Sequence, residues 1–267
     1  MPLPLSTADL ESLQAARDRL ESPGLARKLA TVLGNPIEAA LDRLPEAVSQ
    51  QIHKAAQGAL DRALDAALKT IPAGRPVPRH ADRVHRILTG VTGALGGFFG
   101  LAGLAVELPV STTLMLRSIA EIARREGEDL GEVETRLACL AVFAFGGPPR
   151  SRDPEEEGAE TSYYAVRSLL AKALSEAAQV VAEREIAKES SSVLVRYVAR
   201  IAARFSVTVS EKVAAEAMPI LGAASGAAIN VLFTRHFQEL ARGHFVVRRL
   251  ERLYGMEAVR SAYEALG

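Results

Sequence analysis

Residues 90–117 read "GVTGALGGFFGLAGLAVELPVSTTLMLR". The stretch has the apolar character of a membrane span, yet six glycines, one glutamate and one proline interrupt it. Between Arg86 and Arg117 lie 30 residues, 87–116, and Glu107 is their only formal charge. As a single helix they would reach about 45 Å, more than a hydrocarbon core of about 30 Å requires. Gly90, Gly93, Gly96, Gly97, Gly100 and Gly103 recur at short helical spacings. Each costs roughly 1 kcal/mol of helix propensity against alanine, which close approach of another helix must offset. Pro109 predicts the end of one helix and the start of another, with Ser111, Thr112 and Thr113 able to satisfy freed backbone groups. The expectation is a broken helix or hairpin with Glu107 at the break. A carboxylate in that apolar setting needs a partner, and Arg117 is the nearest basic residue along the chain.

A second apolar segment, "AMPILGAASGAAINVLFT", spans 217–234, 18 residues with no charge. Its helical length of about 27 Å only just spans a bilayer. Gly222, Gly226 and Asn230 fall on one face at i, i+4 and i+8, so the two small-residue stripes are expected to face each other. Asn230, the one amide in the segment, also needs a buried partner. The two segments read as fully buried central helices. They also read as a hydrophobic hairpin held inside a soluble fold and able to insert on demand.

The flanking sequence is amphipathic helix. Ser6-Thr7, with Asp9 in the first turn, opens a helix that ends near Ser22-Pro23-Gly24. A short helix then stops at Gly34-Asn35, and Pro36 suits the first turn of a long one reaching about Thr70. Ile37, Leu41, Leu44, Val48, Ile52, Ala56, Leu60, Leu64 and Leu68 form its single apolar stripe. Pro45 should kink or split it. "PAGRPVPRH" (72–80) is a connector, which divides the chain into an N-terminal arm at 1–72, a Pro-rich link at 73–80 and a helical core at 81–267. "GGPPRSRDPEEEG" (146–158) is a second break. Helices at about 160–187 and 190–215 follow, then helix continues from the second apolar segment to Gly255, with a last short helix at 256–266.

Composition agrees. Alanine, leucine, glutamate and arginine dominate, and no alternating strand is flanked by hairpin turns. The fold class is all-α: a multi-helix bundle with two central Gly-rich apolar segments (87–116 and 217–234) wrapped by amphipathic helices. Thirty-two basic residues balance 32 acidic ones, so no bulk field attracts nucleic acid or an anionic membrane. Cys139, the lone cysteine, excludes an intramolecular disulfide and reads as a buried structural thiol. The N-terminus lacks the basic and apolar regions of a signal peptide, which points to a cytoplasmic start.

Catalytic signatures are missing from the sequence. His80 and His85 are five apart, and His236 and His244 eight apart, neither at the spacing of helical metal ligands. No serine stands in a nucleophile elbow, and no glycine run is followed by the Lys-Ser or Lys-Thr of a phosphate loop. "EKVAAE" (211–216) reads as solvated surface, and the Arg-rich "VVRRLERL" (246–253) as an exposed helix face or a headgroup contact.

Four blocks in order carry a family resemblance: "GLAGLAVELPVSTTLMLRSIAEIARREGEDL" (100–130), "RLACLAVFAFGG" (136–147), "SYYAVR" (162–167) and "MPILGAASGAAINVLFTRHFQELARGHFVVRRLERLYG" (218–255). Over about 85–262 the chain resembles the EcsC protein family of bacteria, with the arm at 1–75 outside the likeness. The resemblance implies a hydrophobic or membrane-associated protein linked by its operon to an ABC-type transporter, with no established activity and no cofactor. Carried over position by position, it singles out Glu107, Pro109, Thr112, Thr113, Arg117, Tyr163, Arg167, Gly222, Asn230, Arg248, Glu251 and Tyr254. Glu107, Arg117, Asn230 and Arg248 are expected to form one buried polar network. The function expected is non-enzymatic, at the cytoplasmic face of the inner membrane, supporting transport or envelope processes through the Gly-rich hairpin. The alternative is a soluble binding protein for a lipid or other apolar ligand, with Glu107 and Arg117 on its polar group.

Overall fold

A computed structural model describes residues 4–34, 37–69, 100–146, 162–182, 188–217 and 223–266. Among the described residues there are ten α-helices, one 3-10 turn and no strand. Helix α1 (Thr7–Leu20) begins where its cap dictates: Ser6 Oγ accepts the Asp9 N–H at 3.2 Å. Helix α2 (Leu25–Leu33) ends at Gly34, whose φ of 70° is left-handed. Pro45 splits the long amphipathic stretch into α3 (Glu38–Asp42) and α4 (Glu46–Lys69). The expected stripe turns inward, with Ile37, Leu41, Ile52, Ala56 and Leu60 buried. Ala59, Ala63 and Ala67 add a second ridge at four-residue spacing, and these small side chains let α4 lie against α5 (Gly100–Arg125) and α8 (Lys188–Glu216).

The remaining elements are α6 (Val133–Ala141), a 3-10 turn (Val142–Gly146), α7 (Tyr163–Ala182), α9 (Ala223–Tyr254) and α10 (Met256–Ala265). Gly255, at φ 87°, separates α9 from α10. One hydrophobic core runs from Leu13 to Tyr263, so α1 to α4 share it with the helices that follow. At its centre Phe143, Phe205, Phe233 and Phe237 stack with ring centroids 5.1–6.1 Å apart. Three buried side chains tie the segment from α6 through the 3-10 turn to its neighbours. Tyr197 Oη donates to Leu137 O at 2.7 Å, Arg204 Nε to Ala144 O at 2.8 Å, and His236 Nε2 to Gly146 O at 2.8 Å. Cys139 is fully buried, and burial pushes its thiol far above its ordinary range.

The expected break at Pro109 does not occur: α5 runs unbroken through it. Proline removes one N–H and releases the carbonyl of Ala105, but Ala105 is exposed, so water can satisfy that oxygen. Ser111 Oγ donates to Leu108 O at 3.1 Å and Thr113 Oγ1 to Pro109 O at 2.8 Å, back-bonds onto carbonyls other than the one that the proline releases. Helices α5 and α9 pack together. Residues 87–99 of the first apolar segment and 218–222 of the second, with most of the glycines read as facing stripes, lie outside the described residues, as does the connector at 73–80. Among the described residues no helix is long and apolar enough to cross a membrane.

Close helix approach is visible instead at Gly243, where α1 crosses α9. A Cβ there would sit 2.6 Å from Leu20 Cγ and 2.9 Å from the Ala16 carbonyl oxygen. The backbone of α1 cannot retreat without unpacking Leu13, Ala16 and Leu20, all buried. Gly243→Ala gains about 1 kcal/mol of helix propensity but loses about 1–3 kcal/mol to overpacking. The net expectation is a Tm lowered by a few degrees in thermal denaturation; an unchanged or raised Tm would show that α1 yields freely.

Candidate functional site

The polar residues gather in three places. In the first, α5, α8 and α9 converge on Glu107. Its Oε1 accepts from Lys212 Nζ at 2.8 Å and from Asn230 Nδ2 at 2.8 Å. Lys212, with 0% of its side chain exposed, also pairs with Glu216 at 3.1 Å and lies 5.8 Å from the Phe233 ring centroid. Burial raises the Glu216 carboxyl above its usual range, opposed by Lys212 and reinforced by the charge of Glu107. One ammonium thus serves two carboxylates away from water.

Arg117, expected as the partner of Glu107, points outward and is exposed. Ten helical residues separate the two, about 15 Å along the axis and roughly 80° out of register, so they cannot meet on one face. The "EKVAAE" segment, expected as solvated surface, instead supplies the buried cation. Lys212 follows Phe205, Thr208 and Val209 at helical spacing on the inward stripe of α8. That periodicity was the available signal for it. Its neighbour Glu211 is buried too, with Oε2 accepting the Ala26 N–H at 3.1 Å in the first turn of α2. Thr112 is fully buried, and Thr113 is spent on the backbone of its own helix.

In the second place, the Arg-rich end of α9 folds back on the turn before α6. Arg248 grips Glu128 through Nε at 3.0 Å and Nη2 at 3.1 Å; Arg252 pairs with the same carboxylate, and Arg249 with Glu126 at 3.1 Å. Burial alone would raise the Glu128 carboxyl, but Arg248 and Arg252 outweigh it and hold it low. Arg248 is thus engaged inside the chain, whereas Arg249 and Arg252 are paired yet lie towards the exposed face. Arg248 does not join Glu107: Asn230 and Arg248 are 18 residues apart on one helix, about 27 Å.

The third place unites Tyr163, Arg167 and Glu251. Arg167 holds Glu251 in a two-pronged pair at 2.6 Å each and donates to Tyr163 Oη at 3.4 Å. Tyr163 Oη lies 2.8 Å from His244 Nδ1. Burial, with Arg167 and Arg248 nearby, drives the His244 pKa well below its ordinary value, so the ring is neutral. Tyr163 Oη and His244 Nδ1 thus share one hydrogen bond, whose donor is set by the histidine tautomer. His244 Nε2 has no hydrogen-bond partner among the described residues, a deficit of about 1–3 kcal/mol. Tyr254, the last residue carried over, donates to Asp9 Oδ2 at 2.6 Å and so ties α9 to α1.

Beside this third cluster a cavity of about 230 Å³ opens between α6, α7, α9 and α10. Arg167, His244 and Arg248 line it; Glu107 does not. Among the described residues no group of three or more His, Cys, Asp or Glu is placed to hold a metal ion.

These features define an all-α bundle tied together by buried ion pairs, with a small, mostly apolar cavity beside the third of them. The chain belongs to the EcsC protein family, whose model matches residues 7–250. The match takes in α1 to α4, which the sequence blocks had left outside the likeness. No curated protein and no solved structure matches the chain.

Proposed function

We propose that this EcsC-family protein acts without catalysis at the cytoplasmic face of the inner membrane, where it supports transport or envelope processes beside an ABC-type transporter. The observation that carries the reading is the boundary at Glu107. Residues 87–106 hold no formal charge, and the described end of that run presents Val106, 70% exposed, and Val110, 45% exposed, one turn apart. Glu107, between them in sequence, turns inward to Lys212. An apolar edge facing outward beside a satisfied charge suits contact with lipid. The likeness to a family described as membrane-associated supports the same reading, and the inner-membrane transporter follows from that likeness alone.

Flotation with vesicles of phosphatidylethanolamine and phosphatidylglycerol tests it. Full-length protein should rise with the vesicles, and Val106→Asp/Val110→Asp should stay below with an unchanged circular dichroism spectrum. Wild-type protein left wholly in the unbound fraction, at every lipid ratio, would sink the proposal.

A further inference from the structure

We infer that the cavity between α6, α7, α9 and α10 is a binding site for an uncharged, apolar molecule of about the size of two fused aromatic rings. Its wall joins buried residues, Ala138, Ala141 and Leu170, to exposed ones, Ser168, Ala171 and Ser175 on one stripe of α7, so the space runs from the core to solvent. It exists because α6 turns two alanines toward it where larger side chains would fill it. Phe145 does not fold in, since its ring packs against Tyr163 and His244 with centroids 5.3 and 5.0 Å away. Leu174 and Met256 add further apolar surface.

The charge of the wall decides the ligand class. Every arginine that lines the cavity is already held by a carboxylate: Arg167 by Glu251 at 2.6 Å, Arg248 by Glu128 at 3.0 Å and Arg260 by Glu264 at 2.8 Å. Arg252 shares Glu128, and Glu134 stands in the wall itself. Four arginines thus meet four glutamates, and burial with the nearby arginines keeps His244 neutral. No charge is left over. An ion entering this space would shed its water and find no free counter-charge. Water among so many carbon atoms is poorly held, and an apolar guest that displaces it gains affinity. Size sets the rest. A cavity of about 150 Å³ takes benzene, and this one, at about 230 Å³, is about half as large again. The paired chains of a membrane lipid exceed it, so the site is separate from any contact made by Val106 and Val110 on α5.

Titration calorimetry and ligand-observed NMR on the full chain at neutral pH test the inference with four probes. Quinoline and N-methylquinolinium share a shape and differ in charge; indole adds a second neutral ring pair, and 2-naphthoate an anion. The two neutral probes should bind about tenfold or more tightly than either ion. Ala171→Trp and Ser175→Trp, at exposed positions that line the cavity, should each abolish binding with an unchanged circular dichroism spectrum. Lys172→Trp, on the same helix but outside the wall, should bind as wild type does. An ion bound as tightly as its neutral counterpart, binding that survives both cavity variants, loss in Lys172→Trp as well, or no saturation by either neutral probe with a folded protein would each overturn it.

Discussion

Lys212→Met is expected to destabilise the protein by about 3–5 kcal/mol, because it leaves Glu107 and Glu216 buried without their cation. Domains of this kind are stable by only about 5–15 kcal/mol, so the loss should appear as a large fall in Tm and in denaturant midpoint. The cause is desolvation rather than lost packing, since methionine fills much of the same volume. A second substitution separates the two. Glu107→Gln added to Lys212→Met removes one stranded charge and keeps an acceptor for Asn230, so it should recover a good part of the loss. Arg117→Ala, at an exposed position, should stay within about 0.5 kcal/mol of wild type. A loss under about 1 kcal/mol for Lys212→Met would mean that water reaches the ammonium.

Stability should also fall from pH 6.5 to pH 5, by roughly 3 kcal/mol, because two histidines are buried in neutral form. Burial, helped by the Lys28 ammonium and opposed by the Gly146 carbonyl, brings the His236 pKa down to about 3. His244 is held well below its ordinary value by burial, Arg167 and Arg248. Both folded-state values are depressed below the unfolded value of about 6.5, so the unfolded chain takes up protons first as pH falls. Stability is then complete well above pH 6.5 and is lost progressively as pH falls through that value. Each histidine contributes roughly 1.5 kcal/mol between pH 6.5 and pH 5, since half of the unfolded chains are already protonated there at pH 6.5. Glu128 adds a further loss at lower pH: Arg248 and Arg252 depress its carboxyl, so its contribution holds above the unfolded carboxylate pKa and disappears below the folded one. Urea unfolding at pH 7, 6 and 5 measures the slope, and a flat profile over that range would refute the neutral-histidine assignment.

Neither prediction was visible in the local sequence, though the frame around both was. The cap at Ser6, the stop at Gly34, the division at Pro45 and the left-handed Gly255 are set by neighbours within a few residues, and each element begins or ends there. Pro109 is the exception. Its local rule predicts a break, but exposure of Ala105 makes an unbroken helix tolerable, and packing against α4 and α9 favours it. Glu107 and Asn230 were legible as polar groups in apolar runs that needed partners. The identity of the shared partner was not, because Lys212 lies 105 residues along the chain from Glu107.

The sequence by itself determined that the chain is helical, where most helices stop, which faces turn inward and which family the chain resembles. Those properties follow from backbone sterics and from periodicity, which act over a few residues. Only the tertiary structure decided which charges meet. It chose Lys212 over Arg117 for Glu107, folded the arginines of α9 onto Glu128, and left His244 Nε2 without a hydrogen-bond partner among the described residues. Charge pairing in a low-dielectric interior depends on distance through space, and chain position carries almost no record of it.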